Sequence, residues 1–227
     1  ALRQAAANDL KQVGTSAVSA LLAVLGDADS AESHALARDA LVGLGSIAVD
    51  PLTGALQCPD PAIRWQVAEV LGRLEDSRVV DYLLGMLFEA EGDSRVKKAV
   101  AQTVQRLVGA LPSRQEAEQF LVRKVRGYLS GVSVKPADLE GRVAVWEWNE
   151  SAATVVSVLQ PARLASMLKA RKLAADLHQL DSENIDFRRL FLVAVLETEK
   201  RLVGLDEPLD RKSVDSQQVA ALGAEAL

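Results

Sequence analysis

The sequence predicts a mainly α fold in which helix pairs stack into a helical-repeat solenoid, with a small β-hairpin inserted in the second half. Three observations predict it. The 227 residues include 35 Ala, 34 Leu and 27 Val but only three Trp, two Tyr and four Phe, a supply of small and aliphatic side chains that suits helix packed on helix. Apolar residues recur with a period near 31 through the first half. Between residues 143 and 159 the period falls to two.

Ala6, Leu10 and Val13 recur as Ala37, Leu41 and Leu44, then as Val67, Leu71 and Leu74, and again as Val100, Val104 and Leu107, at offsets of 31, 30 and 33. A spacing of four and then three puts each trio on one helical face. A second series, Val18, Leu21 and Leu25, repeats as Val49, Leu52 and Leu56 and as Val80, Leu83 and Leu87, each step being 31. Between the two halves of a unit stand Gly14, Gly45 and Gly72, where a helix can end in a left-handed cap. Between units stand Gly26-Asp27, Pro59-Asp60-Pro61 and Gly92-Asp93-Ser94, which turn the chain and cap the next helix. Each unit is therefore an antiparallel helix pair that buries its apolar stripe only by stacking on its neighbours. Four such pairs fill residues 1–130. In the fourth, Pro112-Ser113 opens a second helix with Ala117, Phe120, Leu121, Val125 and Tyr128 on its apolar face.

The third unit carries a resemblance. Its run Asp60-Pro61-Ala62-Ile63-Arg64-Trp65-Gln66-Val67-Ala68-Glu69-Val70-Leu71-Gly72-Arg73-Leu74-Glu75-Asp76 is similar to the HEAT repeat, in particular its short bacterial, phycobilisome-lyase-like form. Asp93-Ser94-Arg95-Val96-Lys97-Lys98-Ala99-Val100 keeps the Asp turn and the aliphatic-basic pair, whereas the first units depart from the pattern, with Ala31 where Arg would fall. The resemblance implies a right-handed α-α superhelix whose motif residues pack the solenoid. It implies no catalytic residue, because function lives in sites grafted on such a fold.

Composition shifts at Ser130-Gly131-Val132-Ser133-Val134-Lys135-Pro136, a boundary rich in Ser, Gly and Pro. Beyond Gly141, Val143, Val145 and Glu147 alternate with Ala144, Trp146 and Trp148. Asn149-Glu150-Ser151-Ala152 then breaks the run and β-branched residues resume from Thr154 to Leu159, which together predict a hairpin. Alone it would be marginal in water, so it is expected to lie against the helices. Pro161 suits a helix start, and Leu164, Leu168, Leu173, Leu177 and Leu180 give that helix an apolar face. After the turn cluster Asp181-Ser182-Glu183-Asn184, a second helix begins near Asp186 and runs through the apolar stretch Leu190 to Leu196. The junction from Leu173 to Asp181 resembles the tetratricopeptide repeat, with Ser182 where that family has Pro; it implies an α-solenoid continuing under a different geometry. The expected organisation is repeats over 1–130, linker and hairpin over 131–160, and a tetratricopeptide-like helical segment over 161–227. The chain begins without Met and its last residues, 216–227, follow a helical pattern without a stop signal. It reads as a piece of a longer protein, soluble and either cytoplasmic or exported.

Chemistry-bearing residues are sparse. His34 and His178 are far apart in sequence, and neither has a ligand partner at helical spacing. His34 is expected at an exposed helix start and His178 on the polar side of its helix. Cys58, the one cysteine, cannot form an internal disulfide and reads as an incidental thiol. Gly43-Leu44-Gly45 follows a helix, so it reads as a helix end and not a phosphate loop. Glu89 with Glu91 and Glu197 with Glu199 read as solvated surface. No catalytic residue, metal or cofactor is predicted.

Two features stand out as partner-binding candidates. Arg114, Arg123, Lys124 and Arg126 belong to a locally basic stretch that could meet an acidic partner or a phosphate backbone, the alternative being an ordinary solvated face. Trp146 and Trp148, two apart on one strand, lie on the same side of the hairpin, where they could form a partner platform or dock the hairpin onto helices. The predicted function is a non-enzymatic scaffold for another protein. Nucleic-acid binding in a basic concave groove, as in some HEAT-like DNA-binding proteins, is the alternative; a net charge of −5 argues against it. No apolar stretch is long enough to span a bilayer, and no small-molecule substrate is evident.

Overall fold

A computed structural model of the chain describes residues 14–89, 91–135 and 137–204, together with Gln217 and Ala220. The repeat trio Ala6, Leu10 and Val13 and nearly all of the segment 216–227 lie outside the described residues. Those described form nine α-helices and one two-stranded antiparallel sheet. They divide into two compact units: one holds the residues up to Leu87, Glu91–Leu111 and Val145–Val158, and the other holds Phe88 and Glu89, Pro112–Ala144 and the residues from Leu159 on.

The first unit is built from helices α1 (Ser16–Gly26), α2 (His34–Leu44), α3 (Ser46–Ala55), α4 (Pro61–Leu74), α5 (Val80–Phe88, whose last residue falls in the other unit) and α6 (Ser94–Val108). The predicted turns start these helices as expected. Asp60 accepts the Ala62 N–H at 2.7 Å with Pro61 opening α4, and Asp93 accepts from Arg95 and Val96 at 2.9 and 3.0 Å to open α6. Asp27 and Asp76 do the same for short 3-10 turns. Each aspartate satisfies an N–H that the first helical turn leaves unpaired. The repeat positions form the core: Val18, Leu41, Leu52, Val67, Leu71, Leu83, Val100 and Val104 are fully buried.

Gly45 joins α2 to α3 with a positive φ of 66°, but its ψ of −140° lies outside the left-handed helical region that the predicted cap would take. Gly72 corrects its prediction. It lies inside α4, which continues to Leu74 and ends at Glu75 with φ 56°. A Cβ on Gly72 would meet the Thr103 hydroxyl at 2.5 Å, so glycine is required for the approach of α6 and not for a cap. In that position Thr103 donates its hydroxyl to the Ala68 carbonyl at 2.8 Å.

A buried polar side chain ties three helices together. Gln66 of α4 donates to the Leu25 carbonyl of α1 at 3.2 Å and to its own Ala62 carbonyl at 2.9 Å, and accepts from Arg38 of α2 at 2.8 Å. An amide has the donors and acceptor for all three, so burial leaves it fully satisfied.

The sheet is a hairpin of β1 (Arg142–Asn149) and β2 (Thr154–Pro161). The Asn149 side chain accepts from the Ala152 N–H at 2.8 Å and Ala153 takes φ 47° to close the turn. The hairpin's tip belongs to the first unit, and there Gly54 of α3 meets the backbone of Trp146 and Glu147. From Pro51 to Ala55 every residue of α3 is buried, so the helix is covered on more than its repeat-facing stripe.

The second unit contains α7 (Arg114–Ser130), α8 (Ala162–Leu180) and α9 (Ile185–Val203). Ser113 and Glu116 form a reciprocal capping box at the start of α7. Two arginines close the antiparallel pair α7 and α8 at both ends: Arg114 donates to the Leu180 carbonyl, and Arg163 donates to the Tyr128 carbonyl at 2.9 Å. Arg114 thereby reaches a carbonyl at the end of α8, and Arg163 adds a second donor to the Tyr128 carbonyl, which already accepts from the Gly131 N–H at 3.2 Å. Leu121 and Val125 of α7, Leu173 and Leu177 of α8 and Val195 of α9 are among its most buried side chains.

Candidate functional site

The hairpin tip brings Trp146 and Trp148 to the first unit's helices, and both are half-buried. The Trp146 backbone lies against Gly54: a Cβ there would stand 2.9 Å from the Trp146 carbonyl carbon. Trp148 lines a cleft of about 520 Å³ with Leu22 and Ala23 of α1, Ile63 of α4 and the turn around Cys58. Its lining also includes Asp27, Asp60 and Glu150. The pairing of the two indoles on one strand face was legible in the sequence. The cleft was not, since its walls come from α1, the turn into α4 and the hairpin.

Cys58 is buried, and loss of solvent raises its thiol pKa above the ordinary value, with the Asp60 charge pushing the same way and the Asp60 backbone and Arg64 partly opposing. It is a packing group and not a thiolate at neutral pH.

Across α2, α4 and α6 runs a ladder that sequence reading missed. The Arg38 and Arg95 guanidinium carbons lie 5.4 and 5.8 Å from the Trp65 ring centroid. Arg38 also stands 3.6 Å from Glu69, and Arg73 pairs with Asp39 at 2.8 Å. Arg38 and Arg73 are matched by carboxylates within the unit and Arg95 lies on the indole, so the ladder braces neighbouring repeats. A helix-to-helix Arg, Trp, Arg succession had no signal beyond the single Trp in an otherwise aliphatic repeat.

The basic candidates on α7 separate into two groups. Arg114 and Arg123 are nine positions apart, about two and a half turns, which places them on opposite sides of the helix. Arg114 pairs with Glu118 at 2.8 Å besides capping α8, so it is engaged within its unit. Arg123 and Arg126 share one exposed face, and Lys124 lies over the Phe120 ring at 5.3 Å.

Several other titratable groups among the described residues also have structural duties. The Arg78 guanidinium, bonded to Asp76 at 2.6 Å, holds that carboxyl below its usual range. Asp176 is pushed up by burial against the opposing pull of Lys172 at 3.6 Å, with Glu89 adding to the rise. Glu199 pairs with Arg171 at 3.2 Å and is not the solvated carboxylate expected from sequence. His34 opens α2, half-buried, with its Nε2 2.9 Å from the Asp27 carbonyl. His178 corrects its prediction more fully: it stacks on Phe191 with centroids 5.6 Å apart and its Nδ1 is buried without a hydrogen-bond partner among the described residues. The polar side of α8 is therefore not where it points, because α9 packs there.

Burial, with the nearby Arg188 charge, lowers the His178 pKa. A histidine that resists protonation in the fold but accepts a proton near pH 6.5 when unfolded makes stability fall as pH drops below that value. The melting temperature should therefore decline between pH 7.5 and 5 in the parent. That slope should be shallower in His178→Phe, which keeps the stacking on Phe191. Equal slopes from calorimetry across that range would refute the assignment.

Among the described residues, no three or more His, Cys, Asp or Glu side chains gather as a metal site, and no helix is long and apolar enough to cross a membrane. Compared with known families, residues 34–105 and, overlapping them, 49–122 match the family described as HEAT repeats. That stretch of the chain is thus of the HEAT type, and HEAT repeats are generally protein-interaction scaffold motifs. No curated protein matches the chain.

Proposed function

We propose that the chain is a non-catalytic helical-repeat scaffold that binds another protein. The observation that carries this reading is the HEAT-type stretch 34–122, in which the recurring residues are core, cap or turn residues. The occupied state of the perturbed titratable groups supports it: Asp76 and Asp138 pair with arginines, Asp176 pairs with Lys172, and His178 packs on a ring. Within the scaffold, Arg123 and Arg126 offer an exposed positive face on α7, suited to an acidic protein surface. Trp146 and Trp148 contribute through the hairpin they anchor.

The finer assignments belong to the same proposal. The repeats are of the phycobilisome-lyase-like subtype, the helices around Leu173–Asp181 are tetratricopeptide-like, and the sequence organises as 1–130, 131–160 and 161–227. The 30-residue recurrence supports the first boundary, although α7 packs with α8 and α9 and the hairpin tip packs with α3.

The test is retention of partners from a native extract by the immobilised chain and by an Arg123→Glu, Lys124→Glu, Arg126→Glu variant, with cross-linking to map contacts. The scaffold reading expects a protein retained by the parent, with loss of roughly tenfold or more in the variant if α7 is the contact. Retention of duplex DNA alone, weakening steeply with salt, would instead favour the nucleic-acid alternative. Turnover of a substrate by the purified chain would overturn both.

A further inference from the structure

The cleft under the hairpin tip has a chemistry that neither the repeats nor the α7 face supply. Its floor is apolar, built from Leu22, Ala23, Ile63 and Trp148, while among the described residues its ionisable lining besides the buried thiol is acidic: Asp27, Asp60 and Glu150. Among the described residues, no lysine or arginine lines it. Two of the carboxylates are fixed by backbone donors, Asp27 by the Asp29 N–H at 3.0 Å and Asp60 by the Ala62 N–H at 2.7 Å. A volume of about 520 Å³ falls within the range of sites that enclose small ligands or side chains.

We propose that this cleft captures an arginine or lysine side chain presented by a basic, extended segment of a partner protein. The charge pattern selects that occupant. A purely apolar group would bury the carboxylates without compensating them, and an anion would be repelled. A long basic side chain meets both halves of the site: its aliphatic stem lies on Leu22, Ile63 and the indole, and its cation reaches the carboxylates. The Trp148 ring adds a cation–π partner where solvent is partly excluded. Acidic groups at the mouth of a low-dielectric cleft also concentrate cations from solution. The cleft lies wholly in the first unit, whereas α7 belongs to the second, so the two surfaces can be tested separately.

The test is a fluorescence-anisotropy titration of the whole chain with a labelled peptide of four Arg-Gly-Ser repeats. The same peptide with citrulline in place of arginine keeps the shape and removes the charge. Three proteins are compared: the parent, Asp27→Asn/Asp60→Asn/Glu150→Gln, and a control, Glu91→Gln/Glu183→Gln/Glu197→Gln, which removes the same charge from exposed positions elsewhere. Asparagine caps helices about as well as aspartate, so the cleft variant should keep its fold, which circular dichroism checks. Saturable binding of the arginine peptide is expected, with a dissociation constant raised about tenfold or more in the cleft variant and changed less than about twofold in the control. Trp148→Leu should weaken it as well, by a smaller factor. Equal binding of the citrulline peptide, equal weakening in both neutralised variants, or no saturable binding would each overturn the proposal. None of these outcomes bears on retention through Arg123 and Arg126, which every protein in the series carries intact.

Discussion

Replacing Gly54 with leucine is expected to lower the melting temperature by roughly 6 to 12 °C, the equivalent of about 3 kcal/mol for a chain of this size. Gly54 lies inside α3, where leucine would ordinarily strengthen the helix by close to 1 kcal/mol. The packing opposes that gain. A Cβ would stand 2.9 Å from the Trp146 carbonyl carbon, 3.0 Å from its oxygen and 3.1 Å from the Glu147 nitrogen. Backbone cannot rotate aside as a side chain can, so either the hairpin tip lifts from α3 or the helix shifts within its repeat. Both expose apolar surface that the native packing covers. The substitution should leave helical circular dichroism nearly intact while the fluorescence of Trp146 and Trp148, read in a Trp65→Phe background, moves to the red. Gly54→Ala should act in the same direction with a smaller loss. A melting temperature equal to or above that of the parent would mean that the tip does not rest on α3 as described.

The second large effect is expected at Gln66. Gln66→Leu keeps nearly the same volume but removes two donors and one acceptor from a site that is almost wholly inaccessible. The Leu25 carbonyl at the end of α1 then loses its cross-helix donor, and Arg38 loses its nearest acceptor. Leaving such groups buried and unpaired costs about 1–3 kcal/mol each, and Arg38 retains Glu69 and Trp65, so the expected loss is about 2–3 kcal/mol in total. Gln66→Glu should be worse at neutral pH, because a carboxylate accepts from Arg38 but cannot donate to either carbonyl. Urea denaturation of the two variants, with Arg38→Leu alone and combined with Gln66→Leu, measures the coupling. If Gln66→Leu proves as stable as the parent, the tie between α1, α2 and α4 contributes nothing.

The two expectations share a cause. Gly54 and Gln66 both sit in the predicted repeat helices, and nothing in a 31-residue period distinguishes them from neighbours that point into solvent. Gly72 is the sharper case. Near the end of a repeat helix a glycine reads as a cap, yet α4 passes through it and stops at Glu75. The difference lies in Thr103, which approaches Gly72 from α6 and hydrogen-bonds Ala68 across 35 positions of sequence. His178 was misplaced for the same kind of reason: its polarity predicted solvent, while Phe191 of α9 offered a ring to stack on.

The sequence by itself determined the helices, their starts at Asp60 and Asp93, the hairpin and its turn at Asn149, and the HEAT-type recurrence. Those features depend on interactions within a turn or two of the chain, or on a periodicity that any single helix or strand must obey. Only the tertiary structure decided that the hairpin covers α3, that Arg114 caps α8, and that an acid-lined cleft opens beside Trp148. Each of these joins residues far apart along the chain. Their meeting is selected by how buried surfaces fit and how buried polar groups are satisfied, and neither leaves a local pattern in the sequence.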